Sequence, residues 1–144
     1  MNLVDANILI NAHREENTGH AFYRRWLTGN IEGPEAFLYC ELVLSTFVRV
    51  VTHPRVYRTP TPLPTALAFA AGIRSRPNGV SIMPGARHWG IFDSLCRRSG
   101  ASGNLIPDAY LAALAIEADA TWVSADRDFA VFEPELRWQL LEPR

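Results

Sequence analysis

Residues 107–129 read PDAYLAALAIEADATWVSADRDF, and the order of residue types in that stretch decides the fold class. Pro107 suits the first turn of a helix, where its missing N–H would be unpaired anyway. The Ala- and Leu-rich run after it predicts a helix from about Pro107 to Ala118. Asp119 must then make the turn into the next element, a conformation that Asp tolerates. Thr121 to Ser124 is a short apolar strand running almost directly into Asp126. Asp126 to Phe132 reads as a turn with a short helix. A helix feeding a strand through so brief a turn is half of a repeating α/β unit.

The same grammar extends outward. Asn2 to Asp5 is a short buried strand followed at once by a helical turn from Asn7 to Ala12. His20 to Leu27 reads as a second helix, stopped by Gly29 and Gly33-Pro34. Phe37 to Tyr39 reads as a strand, and Glu41 to Thr52 as a broad apolar helix ended by His53-Pro54. Residues Pro54 to Pro64 hold four prolines and predict an irregular connection. Thr65 to Arg74 is an Ala-rich helix, Val80 to Met83 a strand, Arg87 to Arg98 an amphipathic helix ending near Gly100, and Trp138 to Leu141 a last strand. Strands alternating with helices predict an α/β sandwich around a central, mainly parallel sheet.

Composition narrows the function. The chain has 144 residues, 48% of them hydrophobic and 20% charged, enough for one domain over 1–144 with a single core. The net charge is -1, so any nucleic-acid contact must come from local patches. All 14 cationic side chains are Arg. With no Lys, a Walker-A phosphate loop, Schiff-base chemistry and kinase chemistry are excluded. Cys40 and Cys96 lack zinc spacing and read as two reduced, buried thiols. The N-terminus is not a secretory signal and no apolar run approaches a membrane span, so the expectation is a soluble cytoplasmic protein without membrane partners.

The chemistry sits in the acids. Two strands, NLVD and TWVSAD, end in aspartates, Asp5 and Asp126, at the sheet edge where open parallel sheets bind ligands. Each aspartate alone could be a helix cap. Glu41 and Asp108 each open a helix whose neighbours are almost all apolar. If all four converged to about 5 Å, each ionised pair would repel by roughly 3 kcal/mol at an effective dielectric near 20. Such a group needs a cation, and all-oxygen ligation suits Mg²⁺ or Mn²⁺. The matching chemistry is metal-assisted phosphodiester hydrolysis.

MNLVDANILINAH, Glu41 with FVRVVTHPRV, Arg87-His88-Trp89, the 108–117 helix and Ser124-Ala125-Asp126-Arg127-Asp128-Phe129 together resemble PIN-domain ribonucleases, specifically VapC-type toxins of bacterial toxin-antitoxin modules. The resemblance covers essentially the whole chain in the family's order. It implies a compact α/β/α PIN fold in which Asp5, Glu41, Asp108 and Asp126 hold Mg²⁺ or Mn²⁺ and carry catalysis. It also implies that Asn7 and Ser124 hydrogen-bond those carboxylates and that Asp128 assists through water. The implied activity is endoribonuclease cleavage of RNA, such as tRNA or ribosomal RNA, which inhibits translation until a cognate VapB-type antitoxin neutralises the enzyme. DNA would be met only indirectly, through the antitoxin. The alternative is a catalytically inactive PIN-like module that docks RNA or protein.

Remaining expectations concern surfaces. Arg24-Arg25, Arg55 with Arg58, Arg74 with Arg76, and Arg97-Arg98 are local basic pairs, of which Arg55 and Arg58, beside Tyr57 on the Pro-rich connection, are the RNA-binding candidates. Trp89 is expected in the core with Phe92 and Leu95, and His13 and His20 at the surface. Trp122 and Trp138 suggest more aromatic surface than one small core needs, and together with the family's habit this predicts a homodimer.

Overall fold

The structure is a computed structural model describing residues 1–144. It contains strands β1 (Asn2–Val4), β2 (Phe37–Tyr39), β3 (Gly79–Ser81), β4 (Thr121–Ser124) and β5 (Trp138–Leu140). The helices are α1 (Ala6–His13), α2 (His20–Ile31), α3 (Glu41–Val51), α4 (Leu63–Arg74), α5 (His88–Ser99) and α6 (Leu105–Glu117), with a 3₁₀ segment at Arg127–Phe132. The sheet has the order β3-β2-β1-β4-β5 and every pairing is parallel. All five strands therefore end at one edge. Helices α1 to α4 pack among themselves, and α5 packs on α6, giving the expected layered α/β architecture.

β1 lies at the centre, buried on both faces, which is why it reads as a continuous apolar run. Val4 pairs with Val123, so Asp5 emerges level with Ser124. Leu3 pairs with Leu38, so Cys40 and then Glu41 emerge on the other side of it. One buried cluster of Leu3, Ile8, Phe37, Phe47, Trp122, Phe129 and their neighbours forms the core. Thr61 donates its backbone N–H to Val51, while Arg74 reaches Glu41 at 3.1 Å. Helices α3 and α4 thus form an antiparallel hairpin with the Pro-rich connection at its far end. No helix is long and apolar enough to cross a membrane.

Boundaries moved where local signals were weak. Helix α2 runs through Gly29 to Ile31, because a single glycine lowers helix stability without ending it. α4 begins at Leu63 with Pro64 in its first turn, and α6 begins two residues before Pro107. β3 is Gly79–Ser81 rather than 80–83, set by its register with Phe37 to Tyr39. Asp119 does take the left-handed turn, at φ 54°.

Several packing expectations are overturned. Trp89 is 67% exposed, and His88 takes the core position at 2% exposure. The apolar stripe of α5 is 88, 91, 92 and 95, at helical spacing, and His88 is tolerated there because its Nε2 meets the Tyr110 carbonyl oxygen at 2.9 Å. His13 and His20 are both half-buried; His13 packs edge-on against Phe47 and Phe69 and His20 Nδ1 meets the Asn11 carbonyl oxygen. Trp122 is fully buried and half-buried Trp138 hydrogen-bonds Glu133, so neither supplies the spare aromatic surface expected of a dimer face. Cys40 is buried as expected, whereas Cys96 is only half-buried, and both are free thiols.

Candidate active site

The carboxyl edge of the sheet is organised around Asp5. Its Oδ1 accepts the Ala6 N–H at 2.7 Å, which caps α1. Its Oδ2 accepts the Ser124 hydroxyl at 2.7 Å and the Asn7 amide at 3.3 Å. Asn7 also donates to Ser124 Oγ at 3.1 Å, and its Oδ1 accepts the Ala125 N–H at 3.1 Å. Ser124, fully buried, accepts the Asp126 N–H at 3.0 Å. Asp126 Oδ1 in turn accepts the Asp128 N–H at 2.9 Å and so starts the 3₁₀ segment. β1, β4 and both following turns are thereby tied into one network in which the side-chain polar atoms of Asp5, Asn7 and Ser124 all have partners, as a rigid polar site requires.

Burial raises the pKa of Asp5; the bonds from Ser124 and Ala6 oppose that shift, and the charge of Asp126 adds to it. Asp108, reaching the edge from the first turns of α6, is pushed up to about 6 by burial and then by the charges of Asp126, Asp5 and Asp128. Four aspartates therefore share one field. None of them has an arginine within ion-pair distance, although seven ion pairs occur elsewhere.

Glu41 stands at the same edge, one strand over from Asp5, but its side chain turns to Arg74, with both partners more than half exposed. As the side chains stand, no three His, Cys, Asp or Glu are grouped closely enough to grip a metal ion together. The donor chemistry nonetheless fits a hard divalent cation: the ligands offered are oxygens only, and the aspartates among them have no arginine within ion-pair distance. Such a cation keeps several of its waters, so a preformed cage is not needed.

Arg55 and Arg58 do not reach this edge. They lie on the connection beyond the far end of α3, roughly 16 Å of helix rise from Glu41. There the largest cavity, about 680 Å³, is lined by Arg14, Tyr57, Arg58 and Thr61 among others. The acids of the sheet edge lie at the opposite end of α1 and α3 from this cavity. Arg76, Arg97 and Arg98 of the other basic pairs are engaged by Glu32, Asp93 and Glu135. The residue that the sequence did not connect to the site is Arg74. Nothing local links it to Glu41, 33 positions earlier; only the α3/α4 hairpin does.

The PIN domain family model matches residues 3–133. The chain is 38% identical over 132 residues to Ribonuclease VapC25 of Mycobacterium tuberculosis, covering 92% of this chain and 93% of that one. It is 42% identical over 136 residues to Ribonuclease VapC43 of the same species, covering 94% and 92%. Among solved structures, the fold is similar to the sarcin-ricin loop cleaving toxin VapC20 of M. tuberculosis, with TM-score 0.69, 17% identity and coverage of 99% and 100%. It is also similar to VapBC2 of Rickettsia felis, solved bound to a DNA fragment from its promoter, with TM-score 0.68, 18% identity and coverage of 96% of each chain. The sheet order, the acids at its carboxyl edge and these likenesses agree: the chain belongs to the PIN-domain family and, within it, to the VapC-type ribonucleases.

Proposed function

We propose that the protein is an Mg²⁺- or Mn²⁺-dependent endoribonuclease, the toxin of a VapBC-type pair, whose cleavage of tRNA or ribosomal RNA inhibits translation in the cytoplasm. The observation that carries this reading is the group of carboxylates without counter-charge at the sheet edge, with Asp108 pushed up to about 6. Asp5, Asp108 and Asp126 would hold the cation together with Glu41 once that side chain leaves Arg74. When bound, the cation supplies activation of water and stabilisation of charge developing on the phosphate.

The chain's own contribution is positional. Ser124 and Asn7 both donate to Asp5 Oδ2, which fixes that carboxylate's rotation, as groups behind metal ligands do. Asp128 is exposed and would accept a proton from water at the rim of the site. Arg55 and Arg58 remain candidate RNA contacts, but only for a part of the RNA remote from the cut.

The name VapBC of the Rickettsia felis complex and its promoter fragment supports a VapB-type antitoxin as partner, with DNA met only through it. A basic antitoxin side chain near Asp5 and Asp126 would supply the missing counter-charge. A homodimer is proposed as the working unit, tested by light scattering against the 16.1 kDa chain mass. The activity is tested with a structured RNA: cleavage at one or a few bonds with Mg²⁺ or Mn²⁺, abolished by EDTA and by Asp126→Ala. Cleavage that persists in both cases would overturn the proposal.

A further inference from the structure

A cavity of about 430 Å³ lies between α3 and α4 and is lined at one end by Glu41, which follows β2 at the carboxyl edge of the sheet. Along α3, Glu41, Ser45 and Arg49 recur every four residues and share one face, so the groove follows the helix for roughly 12 Å. Arg74 lines it from α4. Its floor includes Leu44 and Val48, and its rim Leu67, which is exposed.

The charge balance distinguishes this groove from the larger cavity at the far end. There, Arg14 is already occupied by Glu16, Thr61 and the Thr59 carbonyl, and Arg58, though without an ion pair, shares the lining with two acids, Glu15 and Glu16. Here, Arg49 has no acid within ion-pair distance. Arg74 has only Glu41, in an exposed pair of the kind that contributes little and exchanges readily. If Glu41 turns toward a cation at the edge, the groove is left with two free guanidinium groups and one exposed hydroxyl. Planar guanidinium donors match phosphate oxygens two at a time.

We propose that the α3/α4 groove, through Arg74, Ser45 and Arg49, binds the sugar-phosphate backbone of a single-stranded RNA segment leading into the acidic edge beside Glu41. The inference rests on the endoribonuclease reading and adds the path by which the strand enters. Single-stranded RNA is favoured because its bases are free to lie against apolar surface such as Val48 and Leu67 while its phosphates meet the arginines.

The test is fluorescence anisotropy of a fluorescein-labelled single-stranded RNA of mixed sequence against the full chain across a salt series. It is run in EDTA, and again with Mg²⁺ in an Asp126→Asn background that suppresses cutting. Arg49→Gln and Arg74→Gln should each weaken binding and lower the slope of log K against log salt by about 0.7, the value for one lost phosphate contact on a single strand. Arg74→Lys should keep the slope, and Arg97→Gln on α5, where Asp93 holds the guanidinium, should leave it unchanged. Thermal melts confirm that these exposed substitutions leave the fold intact. Binding by the parent protein with unchanged slopes in both groove variants overturns the groove assignment while leaving the ribonuclease reading standing. A parent that neither binds nor cuts RNA overturns both. A poly-glutamate peptide bound as tightly, and with the same dependence on Arg49 and Arg74, would reassign the groove to an acidic protein segment and so overturn the RNA proposal.

Discussion

At one end of α1, Asp5 sits among Asp108, Asp126 and Asp128 with no arginine in reach; at the other, Arg14 is held on several sides at once. Its guanidinium stacks over Tyr57 at 4.0 Å, donates to Thr61 Oγ at 2.9 Å and to the Thr59 carbonyl at 2.8 Å, and pairs with Glu16. Only 12% of the Arg14 side chain is exposed. The two ends are separated by roughly 12 Å of helix and differ in kind. The Arg14 end is a finished structural clamp that pins the Pro-rich connection to α1. The Asp5 end has its hydrogen bonds satisfied but its charge unbalanced. Unbalanced charge in an otherwise satisfied network makes the Asp5 end the candidate ligand site, even though the larger cavity lies at the Arg14 end.

The comparison is broken most sharply by cleavage kinetics. Asp126→Ala and Glu41→Ala should each lose about 100-fold or more in rate, because even residues behind metal ligands typically cost about 10–100-fold. Arg14→Ala should leave the rate per folded molecule unchanged. Equal losses at both ends, measured on samples of matched folded fraction, would remove the distinction.

Metal binding gives the next largest effect. At one hundred times its dissociation constant, Mn²⁺ should stabilise the protein by about 2.7 kcal/mol, read as a rise in melting temperature. Asp5→Asn and Asp108→Asn should lose much of that gain, whereas Arg14→Ala should keep it. A gain of the same size in all four proteins would place the cation elsewhere.

Stability in the absence of metal should show the converse. Arg14→Ala removes charged hydrogen bonds of about 1.5–3 kcal/mol and a stacking contact, so a loss of about 2 kcal/mol in urea unfolding is expected. Asp108→Asn should be neutral or stabilising there, since it removes a charge that the fold disfavours.

The smallest effect is in the pH dependence. Asp108 rises from 3.8 to about 6 on folding. Between those values the folded chain keeps a proton that the unfolded chain has lost, so this group makes metal-free stability fall as pH rises from about 4 to about 6, with no further change above that. Burial of Asp5 acts in the same direction. Asp108→Asn should flatten this part of the profile in melts without metal, and saturating Mg²⁺ should reverse its slope. A wild-type profile that rises steadily through this range and is unchanged by the substitution would contradict the shared field.

Much of this was legible before any coordinates. The strands are short apolar runs, β1 and β4 end next to Asp5 and Asp126, and the helix from 107 to 118 has an unmistakable apolar pattern, so element order and sheet type follow from periodicity. Two strand ends carrying acids in a parallel sheet already imply a shared edge. The roles of Asn7 and Ser124 were suggested by family likeness alone, since turn residues of these types usually cap rather than connect. Helical spacing at i+3 and i+6 relates Trp89 to Phe92 and Leu95 and so points it to the core, and only the carbonyl of Tyr110 reveals why His88 is buried there instead.

The sequence by itself determined which residues carry charge without lysine, where each acid stands relative to its strand or helix, and hence the class of chemistry. Tertiary structure alone decided which charges are balanced. The ion pair of Glu41 with Arg74 and the hydrogen bond of Arg14 to Thr61 join positions 33 and 47 residues apart, and local propensity holds no record of them. Helix length and hairpin direction set those meetings. Asp108 is left to the charges of Asp126, Asp5 and Asp128, and exposed Arg49 has no acid within ion-pair distance.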